Sequence, residues 1–263
     1  MLNYPDFDPV IFSIGPLAIR WYGLMYVIGF IAAWLLAARR AKENWSPIGQ
    51  DKVDDLVFWA MLGVIAGGRL GYCIVYGWQL WLADPLYVFK ITQGGMSFHG
   101  GLVGVMIAMW LFGRRLGLGM LQVTDFVAPL VPIGLGTGRI GNFINGELWG
   151  KPTDVPWSFN VHGQSLHPSQ LYEALLEGLV LFVILWVFSS RPRPHMAVSG
   201  MFLLFYGAFR FFVEFYRVPD ADLGYLALGW VTMGQILSAP MIVGGAVLLF
   251  LAYRKPQPEG AGA

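Results

Sequence analysis

The segment LAIRWYGLMYVIGFIAAWLLAA, residues 17–38, decides the fold class, because Arg20 is its only charged side chain. A helix that crosses the roughly 30 Å hydrocarbon core of a bilayer needs about 20 mainly apolar residues. The segment satisfies both the length and the composition that such a crossing requires. It therefore predicts a helix that spans a membrane.

The composition of the whole chain supports this prediction. Of the 263 residues, 56% are hydrophobic and 13% are charged, whereas soluble domains carry roughly 25% charged residues. Six further segments can form spans, and they lie near Val53–Tyr76, Met96–Gly113, Leu121–Phe143, Leu171–Phe188, Ser199–Tyr216 and Trp230–Tyr253. We therefore expect an all-α integral membrane protein with about seven transmembrane helices. The net charge of +1 gives no basic surface for nucleic acid, so no nucleic-acid partner is expected.

The basic residues between these segments predict the orientation of the chain. Alternate connections carry ten lysines and arginines, and the remaining connections carry three. Cytoplasmic loops of membrane proteins are enriched in these residues. The N-terminus is therefore expected outside the cytoplasm and the C-terminus inside it.

A single long connection is expected on the outer face, over about 145–170. Its prolines and turn residues suggest a small extramembrane cap or arm with short strands. We expect residues 1–255 to form a single multi-pass membrane domain that contains this insertion. Residues 256–263 are rich in Pro and Gly, which predicts a disordered cytoplasmic tail.

A polar island interrupts the apolar sequence at GRIGNFINGELWG, residues 138–150. It places Arg139, Asn142, Asn145 and Glu147 within nine residues. A charged side chain at membrane depth costs at least a few kcal/mol and is therefore seldom kept for packing alone. The run predicts a polar pocket near the outer end of the fourth segment.

Two arginines are the first candidates for ligand binding in this pocket. Arg139 and Arg210 both lie toward the outer ends of their segments, and a guanidinium group suits bidentate binding of phosphate. In RFFVEFYR, Arg210, Glu214 and Arg217 are spaced by four and three, which places them on one face of a helix. This face is interpreted either as a structural ion-pair ladder or as a glutamate that orients arginines toward a ligand.

His99 is the candidate base, because an imidazole can accept a proton near neutral pH. It stands between glycines in GGMSFHGGL. Tyr22, in RWYGLMY, is interpreted as an interfacial aromatic or as a group of the site. His162 and His167 are five residues apart, and the chain holds neither an HExxH motif nor a cysteine pair. No metal site is therefore predicted.

Three further charged residues within the segments receive mainly structural interpretations. Glu173 lies in the first turn of the fifth segment, where an acidic group interacts favourably with the helix dipole. Glu177 lies one turn deeper and is less easily explained. Arg69, in GGRLGY, is interpreted as structural. From these residues alone, an enzyme, a secondary transporter and a non-catalytic protein that binds anionic lipid all remain possible.

The sequence also resembles a known family. The run from Gly138 to Gly150 is similar to the signature of the bacterial prolipoprotein diacylglyceryl transferases. Five more blocks of that family occur here in the same order, namely RWYGLMY, GGMSFHGGL, HPSQLYEALLEG, YGAFRFFVEFYRVPD and MGQILSAPM. Together they extend over nearly the whole chain, so the resemblance is specific.

The resemblance implies a reaction in the bacterial cell (inner) membrane. Members move the diacylglyceryl group of phosphatidylglycerol to the lipobox cysteine thiol of a prolipoprotein signal peptide, which forms a thioether and releases glycerol phosphate. No cofactor is expected, and the implied partners are phosphatidylglycerol, lipobox-containing precursors and membrane lipids. The implied catalytic residues are His99, Arg139, Arg210 and Tyr22. The implied substrate-binding residues are Arg139, Asn142, Asn145, Glu147, Gly150, Glu214 and Arg217.

Overall fold

The computed structural model describes residues 2–15, 17–91, 94–219 and 224–254; the expected tail over 256–263 lies outside them. The α-helices are α1 (Trp21–Arg40), α2 (Val53–Val75), α3 (Trp78–Ala83), α4 (Phe98–Leu116), α5 (Met120–Val127), α6 (Val131–Ile144), α7 (Ser169–Glu173), α8 (Leu181–Phe188), α9 (Ala197–Val213) and α10 (Met233–Arg254). The 3₁₀ helices are Gln50–Lys52, Pro85–Phe89 and Ala128–Leu130, and a π-helical segment covers Ala174–Val180. The strands are β1 (Leu2–Asn3), β2 (Val10–Ile14), β3 (Leu17–Arg20), β4 (Phe159–Val161) and β5 (Gln164–Leu166).

The expected class, an all-α integral membrane protein, is confirmed, and each of the seven expected segments contains helix. Within the described residues, five helical stretches are long and apolar enough to cross a membrane: Trp21–Arg40, Gln50–Val75, Met120–Ile144, Ser169–Phe188 and Met233–Arg254. The other two expected spans are helices that do not meet that standard. Helix α9 has 17 residues, and α4, with 19, ends in Arg114 and Arg115, which make it less apolar.

The first and fourth expected spans contain irregular features that hydropathy did not predict. The first helix begins at Trp21, because residues 17–20 form β3, which pairs antiparallel with β2. The fourth span consists of α5, a 3₁₀ turn and α6 in succession. Pro129 lies in that turn, and Pro132 lies in the first turn of α6. Proline lacks the N–H that a continuous helix requires, so the prolines account for the irregular turn.

The chain forms two compact units, and the second of them is Ala38–Phe126. Helices α2 and α4 pack closely in this unit through facing glycines. A Cβ on Gly67 would lie 2.7 Å from Gly104 Cα, and one on Gly71 would lie 2.6 Å from Gly100 Cα. Small residues at such positions allow two membrane helices to approach each other closely.

The first unit consists of Met1–Ala37 and Val127–Ala263. Helix α6 crosses the π-helical segment where Gly136 faces Gly178, and a Cβ on Gly178 would lie 2.7 Å from Gly136 Cα. This close contact brings the residues of α6 and α7 together. An apolar core forms around Ala128, Leu181, Leu185 and Val198.

The long connection over about 145–170 contains short strands, as expected. Strands β4 and β5 form a hairpin, and β1 joins β4 in parallel, with Leu2 opposite Phe159. Tyr4 anchors the N-terminal segment, because its hydroxyl lies 2.8 Å and 3.0 Å from the carbonyl oxygens of Phe143 and Ile144. These contacts fix the cap on the C-terminal end of α6. The single membrane domain expected over 1–255 stays a prediction.

Candidate active site

The centre of the candidate site is Glu173, the last residue of α7, whose side chain is fully buried. Its Oε2 pairs with Nε of Arg139 from α6. Its Oε1 pairs with Nη1 of Arg217 and lies 3.2 Å from Nη1 of Arg210. One carboxylate therefore holds three guanidinium groups that come from distant parts of the sequence.

A second carboxylate completes this ion-pair network. Oε1 of Glu214 pairs with Nη2 of Arg210 and lies 3.1 Å from Nε of Arg217. Its other oxygen, Oε2, accepts a hydrogen bond of 2.7 Å from the hydroxyl of Thr232. The side chains of Arg210, Glu214 and Arg217 thus pair as their spacing predicts. They do not share one helix, however, because α9 ends at Val213 and Arg217 lies beyond it in a bridge with Gly150.

Three positive groups share two carboxylates in this network, so one positive charge is left without a paired carboxylate. The arginines keep limited exposure, with relative side-chain accessibilities of 23% for Arg139, 17% for Arg210 and 13% for Arg217. Within the described ranges, Nη1 and Nη2 of Arg139 make no hydrogen bond or ion pair. The arrangement can therefore accept an anion on the outer edge of Arg139 while Glu173 holds its inner edge.

Glu177 lies one turn beyond Glu173 in the π-helical segment and is also fully buried. In the part of the chain that the structure describes, neither of its carboxyl oxygens has a hydrogen-bond partner. The Glu177 side chain therefore makes none of the ion pairs that organise the three arginines.

The polar residues of the signature form a small group of their own at the end of α6. Asn142 donates to Oε2 of Glu147 at 3.1 Å, and Asn145 donates to Oε1 at 3.3 Å. The buried amide of Gln170 donates to the backbone oxygen of Glu147 at 2.8 Å. Among the described residues Glu147 forms no ion pair with Arg139, so two neutral amides orient its exposed carboxylate.

Gly150 occupies a position that leaves no room for a side chain. A Cβ there would clash with the carbonyl oxygen of Tyr216 and lie 2.8 Å from Cβ of His167. The Gly150 N–H donates to the His167 carbonyl at 2.8 Å, and Gly150 also forms a bridge with Arg217. Gly150 thus joins the signature to the chain segment that carries Arg217.

Tyr22 lies on α1 and contacts the same helix that carries Arg139. A Cβ on Gly141 would lie 2.9 Å from Cδ2 of Tyr22, so the ring packs against α6 at a glycine of the signature. Its hydroxyl lies 3.2 Å from the hydroxyl of Tyr26. The structure therefore brings Tyr22 into the first unit beside the signature.

His99 lies in the second unit, in the first turn of α4. Ser97 caps this helix, because its hydroxyl accepts from the Gly100 N–H at 3.1 Å. The His99 side chain is exposed, and its ring contacts Phe98 at a centroid distance of 5.7 Å. The other candidate residues lie in the first unit, so the catalytic role of His99 stays a prediction.

A histidine that sequence reasoning left aside lies beside Gly150. Trp157 Nε1 donates to the hydroxyl of Tyr172 at 2.8 Å, which leaves that hydroxyl free to donate to His167 Nδ1 at 2.9 Å. Burial lowers the pKa of His167 below its ordinary value, and the nearby charge of Lys151 lowers it further. The imidazole is therefore held in its neutral form at neutral pH.

Sequence reasoning missed the organising role of Glu173 and the contributions of Gln170 and Thr232. The signal for Glu173 was available, because three arginines near membrane depth require acidic partners and few acids lie in the predicted spans. Nothing local in the sequence marks Gln170 or Thr232, since their contacts are long-range. Within the described residues, no group of three or more His, Cys, Asp and Glu side chains could hold a metal ion.

Comparison with known proteins assigns the chain to a family. The family model for prolipoprotein diacylglyceryl transferase matches residues 9–251. A phosphatidylglycerol–prolipoprotein diacylglyceryl transferase of Pseudomonas fluorescens strain SBW25 is 61% identical, and the match covers 98% of each chain. The relative of the same name from Oleidesulfovibrio alaskensis is 61% identical, over 97% of this chain and 96% of its own. The chain belongs to the prolipoprotein diacylglyceryl transferase family.

Proposed function

We propose that this protein transfers the diacylglyceryl group of phosphatidylglycerol to the lipobox cysteine of prolipoproteins in the bacterial inner membrane. The relatives carry this activity in their names, and the match extends over the whole chain. The observation that carries the proposal is the arginine network around Glu173, in which Arg139 keeps its outer N–H groups for an anionic ligand. Neither the transporter nor the non-catalytic alternative is favoured by these relatives.

The reaction requires a thiolate nucleophile and a leaving phosphate. The sulfur of the substrate cysteine attacks the glyceryl carbon, the carbon–oxygen bond to phosphate breaks, and the electron pair leaves with the phosphate oxygen. The thiolate rather than the thiol is the nucleophile, so a base must accept the thiol proton. His99 takes this role, directly or with Tyr22, and the released phosphate can receive the proton afterwards.

The arginines stabilise the charge that develops on the leaving phosphate. Arg139 and Arg210 bind the phosphate oxygens, and Glu214 and Arg217 hold Arg210 in position. Asn142, Asn145 and Glu147 position the glycerol headgroup, while Gly150 permits the close backbone turn beside them. Fixed donors of this kind contribute to rate because they are already oriented when charge appears.

The orientation of the chain is part of the same proposal. We place the N-terminus in the periplasm and the C-terminus in the cytoplasm. Alternate connections carry ten lysines and arginines, against three in the other connections, and the connections rich in these residues are the cytoplasmic ones in membrane proteins. The cap with β4 and β5 then lies in the periplasm, on the side where the lipobox cysteine of an exported precursor is presented.

The phosphate role is tested with Arg139→Ala in a transfer assay that contains phosphatidylglycerol and a lipobox peptide. Loss of one such donor typically lowers the rate by about 10²–10³-fold, and transfer should fall by at least this factor. Arg20→Ala is the matched control, because Arg20 is an exposed arginine of the first unit outside the network. Undiminished transfer by the Arg139 variant would exclude the phosphate role.

The base is tested separately with His99→Gln. The free cysteine thiol has a pKa of about 8.5, so its own ionisation can replace the base at alkaline pH. The variant should lose most of its activity at neutral pH and regain part of it as the pH rises. An unchanged pH profile would assign the proton transfer to Tyr22 or to the thiol itself.

A further inference from the structure

Arg69, in the C-terminal third of α2, is a buried cation with an unusual set of partners. Its side chain lies in the second unit and is 2% exposed. Nε donates to Val88 O at 3.1 Å, Nη2 donates to Tyr87 O at 2.6 Å and Lys90 O at 3.1 Å, and Nη1 donates to the carbonyls of Gly94 and Gly95. Every acceptor is thus a backbone carbonyl of residues 87–91 or 94–95, which together are called the 87–95 segment.

These bonds use the full donor capacity of the guanidinium group. Arginine has five N–H donors, and Arg69 makes five hydrogen bonds. No donor is left for a phosphate or another ligand. Stacking against Tyr87, at 4.7 Å from the ring centroid, adds a cation–π contact. Arg69 therefore acts on the 87–95 segment and on no substrate group.

The segment held by Arg69 leads directly into the helix that carries His99. Gly94 and Gly95 have φ values of +79° and +85°, so the chain turns sharply before α4. The Ser97 N–H then donates to the carbonyl of Gly68, the neighbour of Arg69, at 2.9 Å. The first turn of α4 is thus fastened to α2 both through Arg69 and through Ser97.

We infer that Arg69 is a positioning residue for His99, because it fixes the 87–95 segment from which the first turn of α4 begins. The inference rests on the proposed role of His99 as the base. A general base must lie within hydrogen-bond reach of the proton that it accepts, and a misplacement of about 1 Å can cost about 10²-fold in rate. A loosened segment should therefore lower kcat and leave the KM for phosphatidylglycerol unchanged.

The test is a double-mutant cycle with Arg69→Lys and His99→Gln, measured in the lipobox peptide assay. Lysine keeps the positive charge but offers three donors and no planar fork, so at least two of the five carbonyls lose their partner. The cycle is run at about pH 9, where ionisation of the substrate thiol gives the His99 variant measurable activity. Arg114→Lys is the control, because Arg114 is exposed at the other end of α4 over Trp110.

The inference predicts that Arg69→Lys lowers kcat by about 10²-fold at neutral pH, where the base is required. At about pH 9 the double variant should be no slower than His99→Gln alone. Parent-like activity of Arg69→Lys would overturn the inference while leaving the proposed base intact. Losses that multiply in the double variant would also overturn it, because they would show an effect that does not act through His99. Full activity of His99→Gln would instead remove the base assignment, and the inference with it.

A second variant tests the inference if Arg69→Lys fails to fold. Gly95→Ala leaves the buried charge in place but disturbs the same segment, because a Cβ at this positive φ would clash with the ring of Tyr72. It should show the same fall in kcat, the same unchanged KM and the same lack of additivity with His99→Gln. A loss that multiplies with that of His99→Gln, or no loss at all, would overturn the inference.

Discussion

Replacement of Glu173 by glutamine is the most informative test of the arginine network. The amide has nearly the same shape as the carboxylate but removes the negative charge on which Arg139, Arg210 and Arg217 converge. Removing one partner of a buried ion pair costs about 3–5 kcal/mol, since the remaining charge is left uncompensated. Arg210 and Arg217 keep Glu214 as a partner, whereas Arg139 pairs with no other carboxylate in the described residues.

The expected magnitudes follow from this geometry. A loss of 3–5 kcal/mol should lower the thermal midpoint by about 10 °C for a chain of this size. Arg139 loses its anchor, so transfer to a lipobox peptide should fall by at least about 10²-fold, as for removal of a donor. Both quantities can be measured on the detergent-purified protein, the first by thermal unfolding and the second by the transfer assay.

Asp8→Asn provides the control for this experiment, because Asp8 is an exposed acid of the same unit whose carboxylate accepts from the Val10 N–H. Its midpoint and activity should match those of the parent. The reasoning is refuted if Glu173→Gln unfolds at the parent's temperature and retains full transfer, because the network would then neither stabilise the fold nor orient Arg139.

Three further predictions concern the outer part of the first unit. Gly150→Ala should destabilise the protein by about 1–3 kcal/mol through overpacking and reduce transfer, because its Cβ meets Tyr216 O; a parent-like midpoint would contradict the packing argument. Tyr4→Phe keeps the ring but loses the hydroxyl that caps α6, and should cost about 0.5–1.5 kcal/mol in denaturant unfolding. Burial lowers the folded-state pKa of His167 below its ordinary value of 6.5, so its stabilising contribution is present above pH 6.5 and is lost as the pH falls through the folded pKa. Thermal midpoints should therefore drop more on acidification in the parent than in His167→Gln, and equal drops would exclude this role.

Most of the architecture could be predicted because apolar length is a strong local signal. Each of the expected segments is helical, and the short strands of the cap lie where turn residues had predicted them. The irregular features were not predictable in this way. Hydropathy does not distinguish the strand over 17–20 from the start of α1, and the spacing of apolar residues does not predict the π-helical segment over 174–180.

The candidate site shows the same division between local and distant contacts. The spacing of Arg210, Glu214 and Arg217 predicted their pairing, although only Arg210 of the three lies within α9. The helix dipole alone accounts for an acidic residue at position 173, so the sequence gives no separate indication that Glu173 pairs with Arg139 of another helix. Arg69 was interpreted as structural, but its set of backbone partners depends on how residues 87–95 fold back, which no local pattern encodes.

The first unit is discontinuous in sequence, and this has a consequence for biosynthesis. The segment 1–37 cannot complete its contacts until residues beyond 127 have been synthesised, because β1 pairs with β4 and Tyr4 caps α6. The second unit, residues 38–126, leaves the ribosome earlier as an uninterrupted stretch. The N-terminus is therefore made first, but its partners in α6 and β4 follow only after the whole second unit has been synthesised. A nascent chain that stops before Thr232 also lacks the hydroxyl that binds Glu214, so the contacts of the arginine network become complete only near the end of synthesis.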